Sequence, residues 1–242
     1  MIGLGTIINV ITVILGSVIG LIFKNIIPKR LEATVVSGIG LSVCFIGITG
    51  VCSKMFYVEE GVLKTKYTML LIVSLVIGAI IGELINIEKH LERLGDFCKS
   101  KVKFGGENSK FTEGFVSSSL LFCVGAMAIV GSLEDGLTGN YSTLAAKAIM
   151  DGTVSIFFAA SFGIGVFFSV IPVLIYQGGI TLLAGVIKPL LTEVLINQLS
   201  LVGSVLIFGI GINMLTGKKI KLGNLLPAVL VPIFYNLILT LF

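Results

Sequence analysis

Lys147 and Asp151 lie four residues apart in an apolar stretch of a chain in which only 12% of residues are charged. On a helix that spacing sets both side chains on one face, within ion-pair reach. The apolar runs around them are long enough to cross a bilayer. An ionisable group there is expensive unless paired or hydrated, and it marks a pathway or a site by default. Asp151 falls nine residues into its run, roughly 13 Å at ~1.5 Å per residue, near the middle of a hydrocarbon core about 30 Å thick. One reading is a centre that binds an ion or polar solute by competing with the pair. The other is a self-satisfied ion pair that orders a helix bundle, although a buried pair is poor value for stability alone.

Further polar residues could share that centre. The stretch 131–143, GSLEDGLTGNYST, supplies Ser132, Glu134, Asp135 and Asn140. Glu134 and Asp135 are expected to form an exposed acidic mouth that attracts cations, or else to cap the next segment between the turn dipeptides Asp135-Gly136 and Gly139-Asn140. Asn9 lies in the first apolar run, Tyr176-Gln177-Gly178-Gly179 in the sixth, and Tyr235-Asn236 in the last. Asp151-Gly152 and the YQGG run could each interrupt a helix and offer backbone groups to a ligand.

These residues need a membrane scaffold, and the composition supplies one. Hydrophobic residues make up 55% of the 242 and mean hydropathy is +1.09, against roughly 45–50% apolar in soluble domains. The 30 glycines suit helices that pack closely in lipid. The fold class expected is all-α, a polytopic transmembrane helix bundle forming one integral-membrane domain over 1–242. About eight runs reach the ~20 residues a span needs: 1–23, 34–53, 68–86, 114–133, 143–168, 170–187, 194–216 and 222–242. The fifth and sixth divide before Pro172, which disfavours helix in the residue before it; read as one re-entrant unit, they would leave seven.

Twelve Lys and Arg residues fall in the odd-numbered loops and four in the even-numbered ones. The positive-inside rule then sets the odd loops in the cytoplasm and both termini outside. The basic residues sit in loops between spans, so the pI near 8.9 is no nucleic-acid signal. Loop 87–113 carries Ile87, Leu91, Leu94 and Phe97 at helical spacing among charges, as in an amphipathic cytoplasmic helix. Its His90 reads as a solvated surface residue. Cys44, Cys52, Cys98 and Cys123 match no metal or disulfide spacing.

Short patterns recur. LGSVIG at 15–20 resembles IGAIIG at 77–82. SVCFIGI at 42–48 resembles LFCVGAM at 121–127, with LIFGIGI at 206–212 as a weaker third copy. The first two copies run outward and the third inward in this topology, as inverted repeats would; Gly-rich apolar helices also look alike without duplication.

Four stretches together carry a family resemblance: GTIIN at 5–9, FVSSSLLFCVGAMAI at 115–129, PVLIYQG at 172–178 and GNLLPA at 223–228. With them the whole chain resembles the YqgA/YdfK family of bacterial inner-membrane proteins. The family pattern has proline where Ala126 stands, a residue that would kink the fourth span. The resemblance implies a polytopic protein of the bacterial cytoplasmic membrane and names no substrate.

No Walker loop, HExxH or GxSxG motif occurs. The expectation is therefore a non-enzymatic, cofactor-free transporter or channel, passive or ion-coupled, for a small ion or polar solute. Its binding residues would be Asn9, Ser132, Glu134, Asp135, Asn140, Lys147, Asp151 and Gln177. Its partners would be membrane lipid, the solute and a second copy of the chain. The alternatives are a non-transporting scaffold, which would dock partners or anionic lipid through loop 87–113, and an intramembrane enzyme resting on the carboxylates.

Overall fold

A computed structural model describes residues 2–24, 29–90, 93, 108–123, 126–188, 191–216 and 220–241. In chain order the elements begin with α1 (Leu4–Lys24), α2 (Lys29–Met55), strands β1 (Phe56–Glu59) and β2 (Val62–Thr65), and α3 (Thr68–Ile85). Then come α4 (Asn108–Cys123), α5 (Ala126–Thr138), α6 (Ser142–Phe162), α7 (Gly165–Phe168), α8 (Val170–Leu182) and α9 (Ala184–Ile187). The last are α10 (Glu193–Thr216), α11 (Leu222–Leu225), a 3-10 turn (Leu226–Leu230) and α12 (Val231–Leu241).

Six helical stretches are long and apolar enough to cross a membrane: Leu4–Lys24, Ser37–Met55, Thr68–Ile85, Ser142–Phe162, Gly165–Leu182 and Glu193–Thr216. A seventh is the pair Lys110–Cys123 and Met127–Thr138, bent by 58°, if it counts as one span. The last apolar run folds as a shorter helix, Leu222–Leu237. It is tightened by the 3-10 turn around Pro227, where a missing N–H cannot continue a ladder. The bend between α4 and α5 occurs although Ala126 stands where the resemblance leads one to expect a kinking proline. The fifth and sixth runs separate at Gly163, whose φ of 81° suits glycine. Pro172 instead sits in the first turn of α8, where a helix tolerates it. Neither Asp151-Gly152 nor the YQGG run unwinds its helix; α6 and α8 pass through them unbroken. The amphipathic helix expected in loop 87–113 lies mostly outside the described residues, as does Cys98. His90 is exposed there, and its N–H bonds to the Asn86 carbonyl.

Contacts divide the chain into two compact units. One comprises 1–37 and 91–191, the other 38–90 and 192–242.

In the first unit α1 is built inside out. Its buried face is Gly5, Thr6, Asn9, Val13, Gly16, Ser17 and Gly20, and its outward face carries Ile7, Ile11, Leu15, Val18, Ile19 and Ile22. Lipid gives helices no hydrophobic reward for meeting, so small residues that permit close van der Waals packing take the contact face. Gly16 abuts Gly152 and Ser155 of α6, and Gly20 abuts Ile156 and Ala159. With Gly5 against Leu144, these contacts run α1 parallel to α6. Contacts of Thr6 with Thr181 and Asn9 with Gln177 run α8 antiparallel to α1.

The second unit repeats the device. Gly78 and Gly82 of α3 pack against the Ala228 and Asn224 backbone, so both glycine-spaced patterns serve close approach. Two copies of the other pattern meet each other. A Cβ on Gly47 would lie 2.6 Å from the Phe208 nitrogen, and one on Gly211 would lie 2.5 Å from Cys44 Sγ. Gly47 packs on the Phe208 backbone and Gly211 receives the Cys44 side chain, and α2 runs antiparallel to α10. The remaining copy, at 121–127, begins at the end of α4, and its residues 124–125 lie outside the described set. The Glu83 carboxylate accepts from Lys221 Nζ (2.7 Å) and Asn224 Nδ2 (2.6 Å), while Asn224 Oδ1 accepts the Glu88 N–H (2.8 Å). That network ties the end of α3 to the start of α11.

The one departure from all-helical structure among the described residues is the β1–β2 hairpin, fully exposed on both strands. Glu60 (φ 52°) and Gly61 (φ 77°) turn it, both in the positive-φ pair that a type I′ turn needs.

Gly16→Ala drives a methyl into the Gly152 carbonyl and should lower unfolding free energy by about 1–3 kcal/mol. Gly185→Ala, with nothing within 4 Å, should change it by less than about 0.5 kcal/mol. Denaturant unfolding in detergent compares the two.

Candidate functional site

The face of α1 that small residues press onto its neighbours also carries Asn9. Because α6 is parallel and α8 antiparallel, Asn9 arrives level with Asp151 and Gln177. Asn9 Nδ2 donates to Asp151 Oδ2 at 3.0 Å and to Gln177 Oε1 at 3.1 Å. Lys147 Nζ bonds the same Asp151 Oδ2, one turn away on α6. Asn9 and Gln177 are fully buried, and Lys147 and Asp151 are 6% exposed. Three helices thus join four of the expected site residues in one chain of hydrogen bonds.

The polarity of that chain is fixed from one end. An ionised carboxylate only accepts, so Asn9 turns its Nδ2 toward Asp151. The same Nδ2 then requires Gln177 to present Oε1. Asn9 Oδ1 and Gln177 Nε2 are left facing elsewhere, and neither has a hydrogen-bond partner among the described residues. A buried polar atom left unpaired costs about 1–3 kcal/mol.

One helical turn along the same elements the interior becomes apolar. Val13, Phe122 and Val173 are fully buried together, with Val10, Val154 and Val170 against them. On the other side of Asn9, the Thr6 and Thr181 hydroxyls lie 3.5 Å apart. Cys123, at the end of α4, packs against that apolar cluster. Thr181 had a sequence signal, being one turn beyond Gln177; Thr6 shares the small-residue stripe of α1. Cys123 had none.

The remaining expected residues do other work. Asp135 is no exposed mouth: it is fully buried, and its carboxylate accepts the N–H groups of Gly3 (3.1 Å) and Gly5 (3.0 Å). It caps α1 from another element, satisfying free amides and facing the positive end of the helix dipole. Glu134 is half-buried and accepts the Thr143 hydroxyl at 2.7 Å. Asn140 is exposed and receives the Ser142 N–H (3.2 Å) and hydroxyl (2.8 Å), a capping turn before α6. Ser132 is buried in α5 with its hydroxyl unpartnered among the described residues, so no hydrogen bond joins it to the cluster. In the second unit, the Asn236 amide that the sequence singled out donates to Gln198, which the sequence did not flag.

Asp135→Ala should lower unfolding free energy by about 1–3 kcal/mol, since it strands two amides. Lys147→Met should cost about 3–5 kcal/mol by leaving a buried carboxylate unpaired, and adding Asp151→Leu should recover much of it. Both are read by denaturant unfolding.

The family model described as "Protein of unknown function (DUF554)" matches residues 4–237. The chain is 35% identical over 229 residues to the "Uncharacterized membrane protein YdfK" of Bacillus subtilis (strain 168), covering 94% of this chain and 93% of that protein. It is 30% identical over 232 residues to the "Uncharacterized protein YqgA" of Escherichia coli (strain K12), with the same coverage. No solved structure matches. The match runs along nearly the full length of both relatives, and the chain belongs to the DUF554 family of membrane proteins.

Proposed function

We propose that this protein is a passive or ion-coupled transporter or channel for a small ion or polar solute, working without enzymatic chemistry in a bacterial cytoplasmic membrane. The carrying observation is the four-residue cluster of Asn9, Lys147, Asp151 and Gln177, buried between three helices. Four buried polar side chains within apolar helices are expensive in a bilayer protein, and membrane proteins keep such groups on pathways and relays. Their membership of both α6 and α8, flanked by the Val13–Phe122–Val173 plug, supports a site with a hydrophobic constriction beside it. The excess of basic residues in loops 24–33, 87–113 and 217–221 supports a cytoplasmic position for those loops.

One observation favours a scaffold instead: Lys147 and Asp151 sit on the same helix and satisfy each other. Flux in proteoliposomes separates the readings. Wild-type protein should move at least one ion or polar solute faster than empty liposomes. Asp151→Asn, folded by circular dichroism, should reduce that flux about tenfold or more, equivalent to ~1.4 kcal/mol. Absence of flux from wild-type protein, with Asp151→Asn merely less stable, would leave the scaffold.

A further inference from the structure

We propose that the Asn9–Gln177 edge of the cluster binds a small uncharged solute carrying a hydrogen-bond donor and an acceptor side by side, as an amide or a urea does. This rests on the transport reading above and narrows its solute.

Charge comes first. Lys147 and Asp151 cancel, so the cluster presents no net charge to a ligand. Among the described residues, no group of three His, Cys, Asp or Glu is placed to hold a metal ion. What remains unanswered is one acceptor, Asn9 Oδ1, and one donor, Gln177 Nε2. Both side chains are fully buried and bonded to each other, so the two free atoms belong to neighbouring amides. A planar amide or urea offers an N–H to the first and a carbonyl to the second. A metal ion would satisfy the acceptor and be repelled by the donor; an anion would do the reverse.

Room comes second. Where another glycine of this unit faces a neighbouring element, an added Cβ would lie 3.0 Å or less from it, as at Gly5, Gly114 and Gly136. Gly178, next to Gln177, also faces α1. Yet its Cβ would meet only Thr6 Cγ2 and Leu174 Cδ1, both at 4.0 Å, and one on Gly179 would meet nothing within 4 Å. The space beside Gly178 and Gly179, the two residues after Gln177, is not consumed by helix packing.

The test uses proteoliposomes of the full chain, read by stopped-flow light scattering with urea and acetamide. Potassium, sodium and zwitterionic glycine are run in parallel. Wild-type protein should pass urea or acetamide and not the charged solutes. Gly178→Val, which has space for its Cβ, should keep its thermal midpoint and cut that flux about tenfold. Gln177→Met removes the donor and should cut that flux likewise, with a lower thermal midpoint because Asn9 Nδ2 loses an acceptor. Flux of ions or glycine without urea or acetamide would overturn this solute class and leave the transport reading standing. Osmotic water flux alone would overturn it too, by assigning the unpaired atoms to water. Urea flux unchanged in folded Gly178→Val would remove the site from this edge. No flux of any solute would end both readings.

Discussion

Helices in lipid gain nothing by hiding apolar surface from water, and that constraint shapes the first unit. Contact must come from close approach, so the contact face of α1 is small or polar while its large aliphatic residues look outward. A stripe selected for smallness has a second property: it is the one place where a polar side chain can meet partners. Asn9 shares that stripe with Gly5, Gly16 and Gly20. The packing that brings Gly16 onto Gly152 therefore also brings an amide to Asp151, one residue earlier on α6.

The cluster works as a directed object. Lys147 pairs with Asp151, the carboxylate orients Asn9, and Asn9 orients Gln177. Neither amide's orientation is free, although each could be assigned either way in isolation. Coupling in such a network exceeds what pairwise contacts suggest. A change at Lys147 is thereby felt at Gln177 Nε2, three hydrogen bonds away. The valine and phenylalanine layer one turn beyond holds the same three helices in register and keeps the charged groups from a competing partner on that side.

Much of this was legible in the sequence. The i, i+4 spacing of Lys147 and Asp151 fixes their pairing on any helix, and hydropathy alone marks the long apolar helices. Asn9 and Gln177 could be singled out as polar residues in apolar runs. Their convergence could not, because it depends on α1 running parallel to α6 and antiparallel to α8. Asp135 was misread because its partners are backbone amides 130 and 132 residues away, and an unsatisfied helix terminus has no signature at such distance. The break at Gly163 was masked by the stronger local signal of Pro172, which α8 absorbs in its first turn. The exposed hairpin was missed because Glu60 is an unusual residue for a positive φ.

The cap that Asp135 places on α1 bears on how the protein is made. The bonds that complete α1 reach forward to residues 135, 151 and 177. At a synthesis rate of about 5–20 residues per second, the first helix waits on the order of ten seconds or more for its partners to be translated. During that interval its leading amides and the Asn9 side chain must be satisfied by water, lipid headgroups or the insertion machinery. Biogenesis of this unit is thus a late docking of a waiting helix, and a stall in translation between residues 24 and 177 exposes that helix at its most vulnerable stage.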